Sequence, residues 1–191
     1  MKMHQLQRQA YIMASEEKGL RELRGPENNP SVVQFFADVG HGWVKDDETA
    51  WCAAFVGAML ERAGLRSTRA LNARSYLEWG QEISLEDAKV GDVLVFWRNS
   101  PDDWRGHVGF FVNRAGTHLE VLGGNQSDAV NVQRYPVSRL LSVRRMPADE
   151  DHVPQTRVPV IDAQPPRPVK EGPLVKLINR LFSFLSKGGP A

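Results

Sequence analysis

Apolar positions recur along this chain with two different periods, and the period changes near Val90. Before it the spacing is helical. Leu6, Ala10, Ile12 and Met13 set among charges predict a helix from about Leu6 to Leu20, and Gly19 and Gly25-Pro26 interrupt it. Asn28-Asn29-Pro30-Ser31 reads as a turn with Ser31 as the cap of a short helix that carries Val32, Val33, Phe35 and Phe36 and ends near Gly40. Cys52, Phe55, Val56, Met59, Leu60 and Ala63 follow the i, i+3, i+4, i+7 rule for one buried helix face, and Gly64 stops the run. Ala53, Ala54, Gly57 and Ala58 are small, so another element can pack closely on that side. A further short helix is expected over Ala73 to Trp79, ending at Gly80.

From Val90 onward the pattern is that of strands. Val93 to Trp97 is a short apolar run of the kind buried on both faces of a sheet. His107 to Val112 and Leu119 to Leu122 follow, with Asn113-Arg114-Ala115-Gly116 as the turn between them. Val130 and Val132 alternate with polar residues over Ala129 to Tyr135, and Leu140 to Arg145 is the last strand. Short strands in succession predict a mostly antiparallel sheet. Helices first and strands afterwards predict an α+β domain, with the N-terminal helices packed on that sheet.

At Pro147 the composition shifts. Prolines at 147, 154, 159, 165, 166, 168 and 173 predict an extended linker over 147–173. Beyond it, residues 174–187 fit one amphipathic helix: Leu174, Leu177, Ile178, Leu181, Phe182 and Leu185 share a face, and Lys176, Arg180 and Lys187 are its only charges. The expected organisation is a domain over 1–146, the linker, and a cationic helix.

Composition narrows the function classes. The 191 residues suffice for one ordinary domain and an appendage, and 41% apolar with 25% charged residues is a globular mix. A net charge of +1 gives no global electrostatic case for nucleic-acid binding. A single cysteine excludes an internal disulfide and suits folding in a reducing cytoplasm. No Cys/His cluster supports zinc, and the acidic loops Asp46-Asp47-Glu48 and Asp102-Asp103 lack the spacing of a calcium loop. The expectation is therefore no metal, no cofactor and no nucleic acid.

The chemistry concentrates in three places. Cys52 lies where a loop becomes a helix, inside the first turn if Thr49 is the cap. Unpaired amides and the helix dipole there favour a thiolate and can receive an oxyanion. A lone cysteine more often packs as a small hydrophobe. Trp51 before it and a small-residue helix after it shift the balance toward a nucleophile. His107, after Gly106 at a strand start, is the expected base; His118 in a hairpin is its rival, and His41 in a Gly-rich loop is placed to touch substrate. A third group must hold the imidazole with one nitrogen toward the sulfur. Asn125, after Gly123-Gly124, is the first choice, with Glu120 and Gln126 as alternatives. Trp43, Trp51 and Trp104, together with Gln126, are the candidates for lining a substrate groove.

Four motifs in order, Trp51-Cys52-Ala53-Ala54-Phe55-Val56, Gly91-Asp92-Val93-Leu94-Val95-Phe96, Gly106-His107-Val108-Gly109-Phe110 and Gly123-Gly124-Asn125-Gln126, resemble the NlpC/P60 and CHAP superfamily of papain-like peptidoglycan hydrolases, closest to its small phage-associated branch. The resemblance covers about residues 10 to 146. It implies a papain-like fold, a Cys52 nucleophile, a His107 base and a polar third residue. It also implies hydrolysis of amide bonds in the peptide part of peptidoglycan, by an endopeptidase or an amidase. Ala50 stands where such sequences often carry proline.

No apolar stretch of signal-peptide length follows Met1 to Arg8. The expectation is synthesis in the cytoplasm and action in the periplasm or cell wall, after release through a pore, a secretion machine or a phage particle. A phage-type endolysin is the leading reading. A secreted antibacterial effector of the same chemistry and a non-lytic acyltransferase or deamidase are its competitors. The cationic helix 174–187 suggests an anionic membrane surface as a second partner.

Overall fold

The computed structural model describes residues 1–148 apart from 24 and 26. The expected linker from residue 149 onward and the expected helix 174–187 lie outside the described residues. The first two positions assigned to the linker belong to the domain: Pro147 bridges Met3, and Ala148 donates its amide to the Lys2 carbonyl at 3.1 Å.

Three helices precede the sheet. Helix α1 (Gln5–Glu16) buries Gln7, Ala10 and Ala14 and is capped by His4, whose Nδ1 accepts from the Leu6 amide at 3.2 Å. It ends before the expected Leu20, and the chain from Gly19 to Glu22 pairs instead with 128–130. Helix α2 (Pro30–Asp38) is capped by Asn29, not by the expected Ser31: Asn29 Oδ1 accepts from the Ser31 amide at 2.9 Å, and Pro30 takes the first helical position. Helix α3 (Cys52–Arg62) is buried all round from Cys52 to Leu60, the mark of a central helix. Its Gly57 allows a contact no other residue permits there, since an added Cβ would lie 2.6 Å from Val39 Cγ1. The expected helix at Ala73 is a 3-10 helix over Ala73–Glu78.

The domain is α+β, and every strand pair in its six-stranded sheet is antiparallel. The strands are β1 (Gln81–Ile83), β2 (Val93–Trp97), β3 (Gly106–Ala115), β4 (His118–Gly123), β5 (Asn131–Pro136) and β6 (Leu140–Arg145), in the order β1-β6-β2-β3-β4-β5. β1 is three residues long, with Gln81 and Glu82 exposed and only Ile83 partly buried, so no alternation announced it. β3 runs through the expected turn to Ala115. The true turn is at Gly116, with φ +62°, and the β3–β4 register shifts between Phe111 and Asn113.

Both sheet faces are covered, which explains the unbroken apolar run of β2. Val93, Val95, Val108, Phe110 and Leu122 pack with the helices, and Leu94, Phe96, Phe111, Leu119, Val121 and Val143 form a second core on the other face. The Gly91-Asp92 motif has a structural task. Asp92 is fully buried and paired with Arg145 at 2.5 Å, and Arg145 also donates to the carbonyls of Met1 and Asp87. This pair locks the start of β2 to the end of β6.

Candidate active site

Thr49 does not cap α3. Asp46 Oδ1 accepts from both the Thr49 amide, at 2.8 Å, and the Thr49 hydroxyl, at 2.7 Å. Trp51 occupies the cap position without a side-chain bond, so Cys52 is the first residue of the helix. The backbone amides of Val108, Ala53 and Cys52 itself favour the thiolate of Cys52 electrostatically. Cys52 and Val108 of β3 belong to the same buried core, so the thiol lies near the start of that strand.

His107 is the second residue of β3, opposite Phe96, and is buried. Its Nε2 lies 3.0 Å from Gln126 Oε1. The amide of Gln126 is oriented by its own partners: its nitrogen donates toward the carbonyls of Val121 and Asn131 and to Asn131 Oδ1, at 3.2, 2.7 and 3.0 Å. The oxygen is thus left for His107, and an amide oxygen only accepts. His107 is accordingly the Nε2–H tautomer. Its Nδ1 carries the lone pair and has no hydrogen-bond partner among the described residues. Cys52 Sγ is therefore not hydrogen-bonded to Nδ1 in this structure, and the lone pair there is buried and unpartnered.

Burial sets the electrostatics. It pushes the His107 imidazole down to about 4, with the Arg98 charge acting in the same direction and Gln126 opposing. Burial also pushes the Cys52 thiol up, against the Val108 amide and the Arg98 charge. At neutral pH the pair is thiol and neutral imidazole. The helix-start argument alone pointed to a thiolate; desolvation outweighs it.

Of the three residues expected to hold the imidazole, Gln126 does so. Asn125 faces away: at φ +56° it directs its Nδ2 to Glu22 Oε1 at 2.6 Å. Glu120 pairs with Arg134 across the β4–β5 ladder at 3.0 Å. His118 starts β4 opposite Pro136 and is exposed beside Thr117. His41 is bound to the Arg69 carbonyl at 2.8 Å.

The groove candidates divide. Trp43 and Trp104 are 72% and 70% exposed. Trp51 is fully buried against Phe35 and Phe55, with its indole N–H donated to Glu22, so it is scaffold rather than groove. Gln126, placed among the groove candidates as well, is 1% exposed and serves the imidazole. Sequence reasoning missed Glu22, Arg98 and Tyr135. Glu22 joins Trp51 to Asn125, the neighbours of Cys52 and Gln126, from more than a hundred residues upstream of Asn125. No local motif signals such a bond.

No protein-family profile matches the chain, and no curated protein does. Solved structures of similar outline include three NlpC/P60 proteins. An NLP/P60-family protein described as similar to lipoprotein, from Staphylococcus aureus, is 15% identical over 75% of this chain and 42% of its own, with a TM-score of 0.45. NlpC1 from Trichomonas vaginalis is 15% identical over 76% of this chain and 45% of its own, at 0.47. The P60 domain of an antigen of M. avium paratuberculosis is 14% identical over 75% of this chain and 94% of its own, at 0.46. The chain thus spans less than half the length of the first two.

Proposed function

We propose that this chain is a cysteine hydrolase of amide bonds in the peptide part of bacterial peptidoglycan. One observation carries the chemistry: Cys52 opens a helix in the same core as Val108 of β3, and Gln126 holds the adjacent His107 so that Nδ1 is the free nitrogen. The four ordered motifs and their resemblance to papain-like wall hydrolases supply the substrate class.

In this reading His107 Nδ1 takes the thiol proton as Cys52 Sγ attacks the amide carbonyl. The sulfur–carbon bond forms, and the carbonyl oxygen becomes an oxyanion beside the first-turn amides of α3. His107 returns the proton to the leaving amine, giving a thioester. Water then adds to it, giving up a proton to His107, and Cys52 leaves as the thiol. A neutral pair suits this sequence, because the base is unprotonated at the start and the thiol proton has a defined destination. The exposed indoles of Trp43 and Trp104 are offered as aromatic platforms for the wall polymer.

Release of soluble muropeptides from purified sacculi, read by mass spectrometry, is the test. The full chain should release them, identifying the bond by mass, and Cys52→Ala should bind sacculi and release none. Clearing of sacculi by Cys52→Ala would refute the mechanism. An endolysin role, action beyond the cytoplasm and attachment of 174–187 to anionic lipid are part of the same proposal; loss of killing of intact cells when 149–191 are removed would support the last.

A further inference from the structure

Tyr135 stands on β5, an edge strand, and no motif marks it. By register it is remote from the site: it pairs with Leu119, and Leu119 pairs with Arg114, seven positions along β3 from His107. Yet its ring centre is 4.9 Å from that of His107, with only 12° between the planes. It is also 4.9 Å from Phe96, at 27°. The sheet must curl for this to happen. Register irregularities at Val95/Phe96 and Phe111/Asn113 are the bends that raise local twist. The 3-10 turn Val137–Arg139 then leads directly from β5 to Leu140, the partner of Phe96 on β2.

We propose that Tyr135 is a positioning residue for the reaction described above: its ring fixes the plane of the His107 imidazole and closes that face to water, leaving Nδ1 as the one ring nitrogen open to a proton. The inference rests on the hydrolase reading for its catalytic consequence but not for its effect on His107. Phe96 and His107 are cross-strand neighbours, and Tyr135 covers both, so the ring cannot tilt without breaking two stacks. Gln126 restrains the imidazole in its own plane at Nε2. Tyr135 restrains it perpendicular to that plane. The two act on different motions, and neither replaces the other.

The groups around the imidazole are few. Arg98 after β2 opposes its protonation, Cys52 of α3 is neutral, and the Tyr135 phenol is pushed up to about 12, chiefly by burial. Dehydration is what keeps His107 near 4, and Tyr135 supplies one wall of the dry volume.

The test is an NMR titration of His107 in the full chain, paired with kcat and KM on sacculi, for the parent, Tyr135→Phe and Tyr135→Leu. Tyr135→Phe keeps the ring and should leave the His107 midpoint and kcat within about threefold of the parent. Tyr135→Leu should raise the midpoint by about one pH unit or more and lower kcat about tenfold with KM little changed. Tyr135→Met, similar in volume but without a plane, gives the same readings if Tyr135→Leu does not fold. An unmoved midpoint in the folded Leu or Met variant overturns the proposal, as does a shift in Tyr135→Phe equal to that in Tyr135→Leu. If the parent releases nothing from sacculi, the titration still decides the positioning role, and the failure falls on the hydrolase reading alone.

Discussion

Gln126 Oε1 accepts from His107 Nε2 at 3.0 Å, while Asn125 next to it binds Glu22. A one-residue difference in the chain therefore separates imidazole orientation from loop anchoring. Gln126→Ala should lower kcat about 10²-fold, because the ring loses its tautomer and its in-plane restraint. Asn125→Gly, which tolerates the left-handed backbone there, should stay within about threefold. The pair of kcat values on sacculi checks this, and equal losses would return Asn125 to the site.

His107 also makes the domain pH-sensitive. Its folded value of about 4 lies below the ordinary 6.5, so the unfolded chain binds the proton more readily. The stabilisation is fully present above about 6.5 and is lost as pH falls toward 4. Its size is on the order of 3 kcal/mol for a group this buried. Chemical denaturation between pH 7 and pH 4 should show that loss, and His107→Phe should flatten much of it. The rate on sacculi should fall on the acid side with a midpoint near 4, since only neutral imidazole accepts the thiol proton.

What the sequence disclosed depended on how local each signal is. The apolar stripe of α3, the five expected strands after Val90 with their antiparallel order, and the places of Cys52 at a helix start and His107 at a strand start all follow from residues close together in the chain. Cap identities slipped by two residues for two reasons: Asn29 and Ser31 are both good cap residues, whereas Thr49 is taken up by Asp46 and leaves Trp51 at the cap with no side-chain bond. The imidazole partner was blurred by its turn: Asn125, Ser127 and Asp128 all have positive φ, so the chain reverses at almost every step and spacing no longer tells direction. Tyr135 and Glu22 were hidden for a different reason. Their contacts arise only when the curled sheet and the 19–22 segment close over the site.

Arg98 raises a separate expectation. It is exposed, takes part in no ion pair among the described residues, and its charge favours the Cys52 thiolate against burial. Arg98→Gln should push the thiol further up and slow its alkylation by iodoacetamide about twofold at a fixed pH of about 8 and low salt. The difference should shrink in 1 M salt, because an exposed charge acts through screened water. A salt-independent difference would mean that Arg98 acts through packing instead.

Gly124 is where the two halves of the site touch. A Cβ there would lie 2.3 Å from Trp51 Cζ3 and 2.7 Å from the Phe55 Cβ, and both neighbours are fully buried. Trp51 precedes Cys52, the proposed nucleophile, and Gly124 lies two residues before Gln126, so under that proposal the close approach would set the spacing between thiol and imidazole. Gly124→Ala should destabilise the domain by about 1–3 kcal/mol, the usual cost of overpacking a filled core. It should also lower kcat more than the fraction folded accounts for, since sub-ångström displacement of a base from its nucleophile is costly. Gly123→Ala is the contrast. Its added Cβ would meet the Gln126 amide at 3.0 Å and His107 Nε2 at 3.3 Å, so it presses on the hydrogen bond rather than on the indole. Thermal melts together with kcat on sacculi separate the two: Gly124→Ala should lose stability and rate together, and Gly123→Ala mainly rate. Equal melting points for Gly124→Ala and the parent would show that Trp51 yields, and that the spacing is set elsewhere.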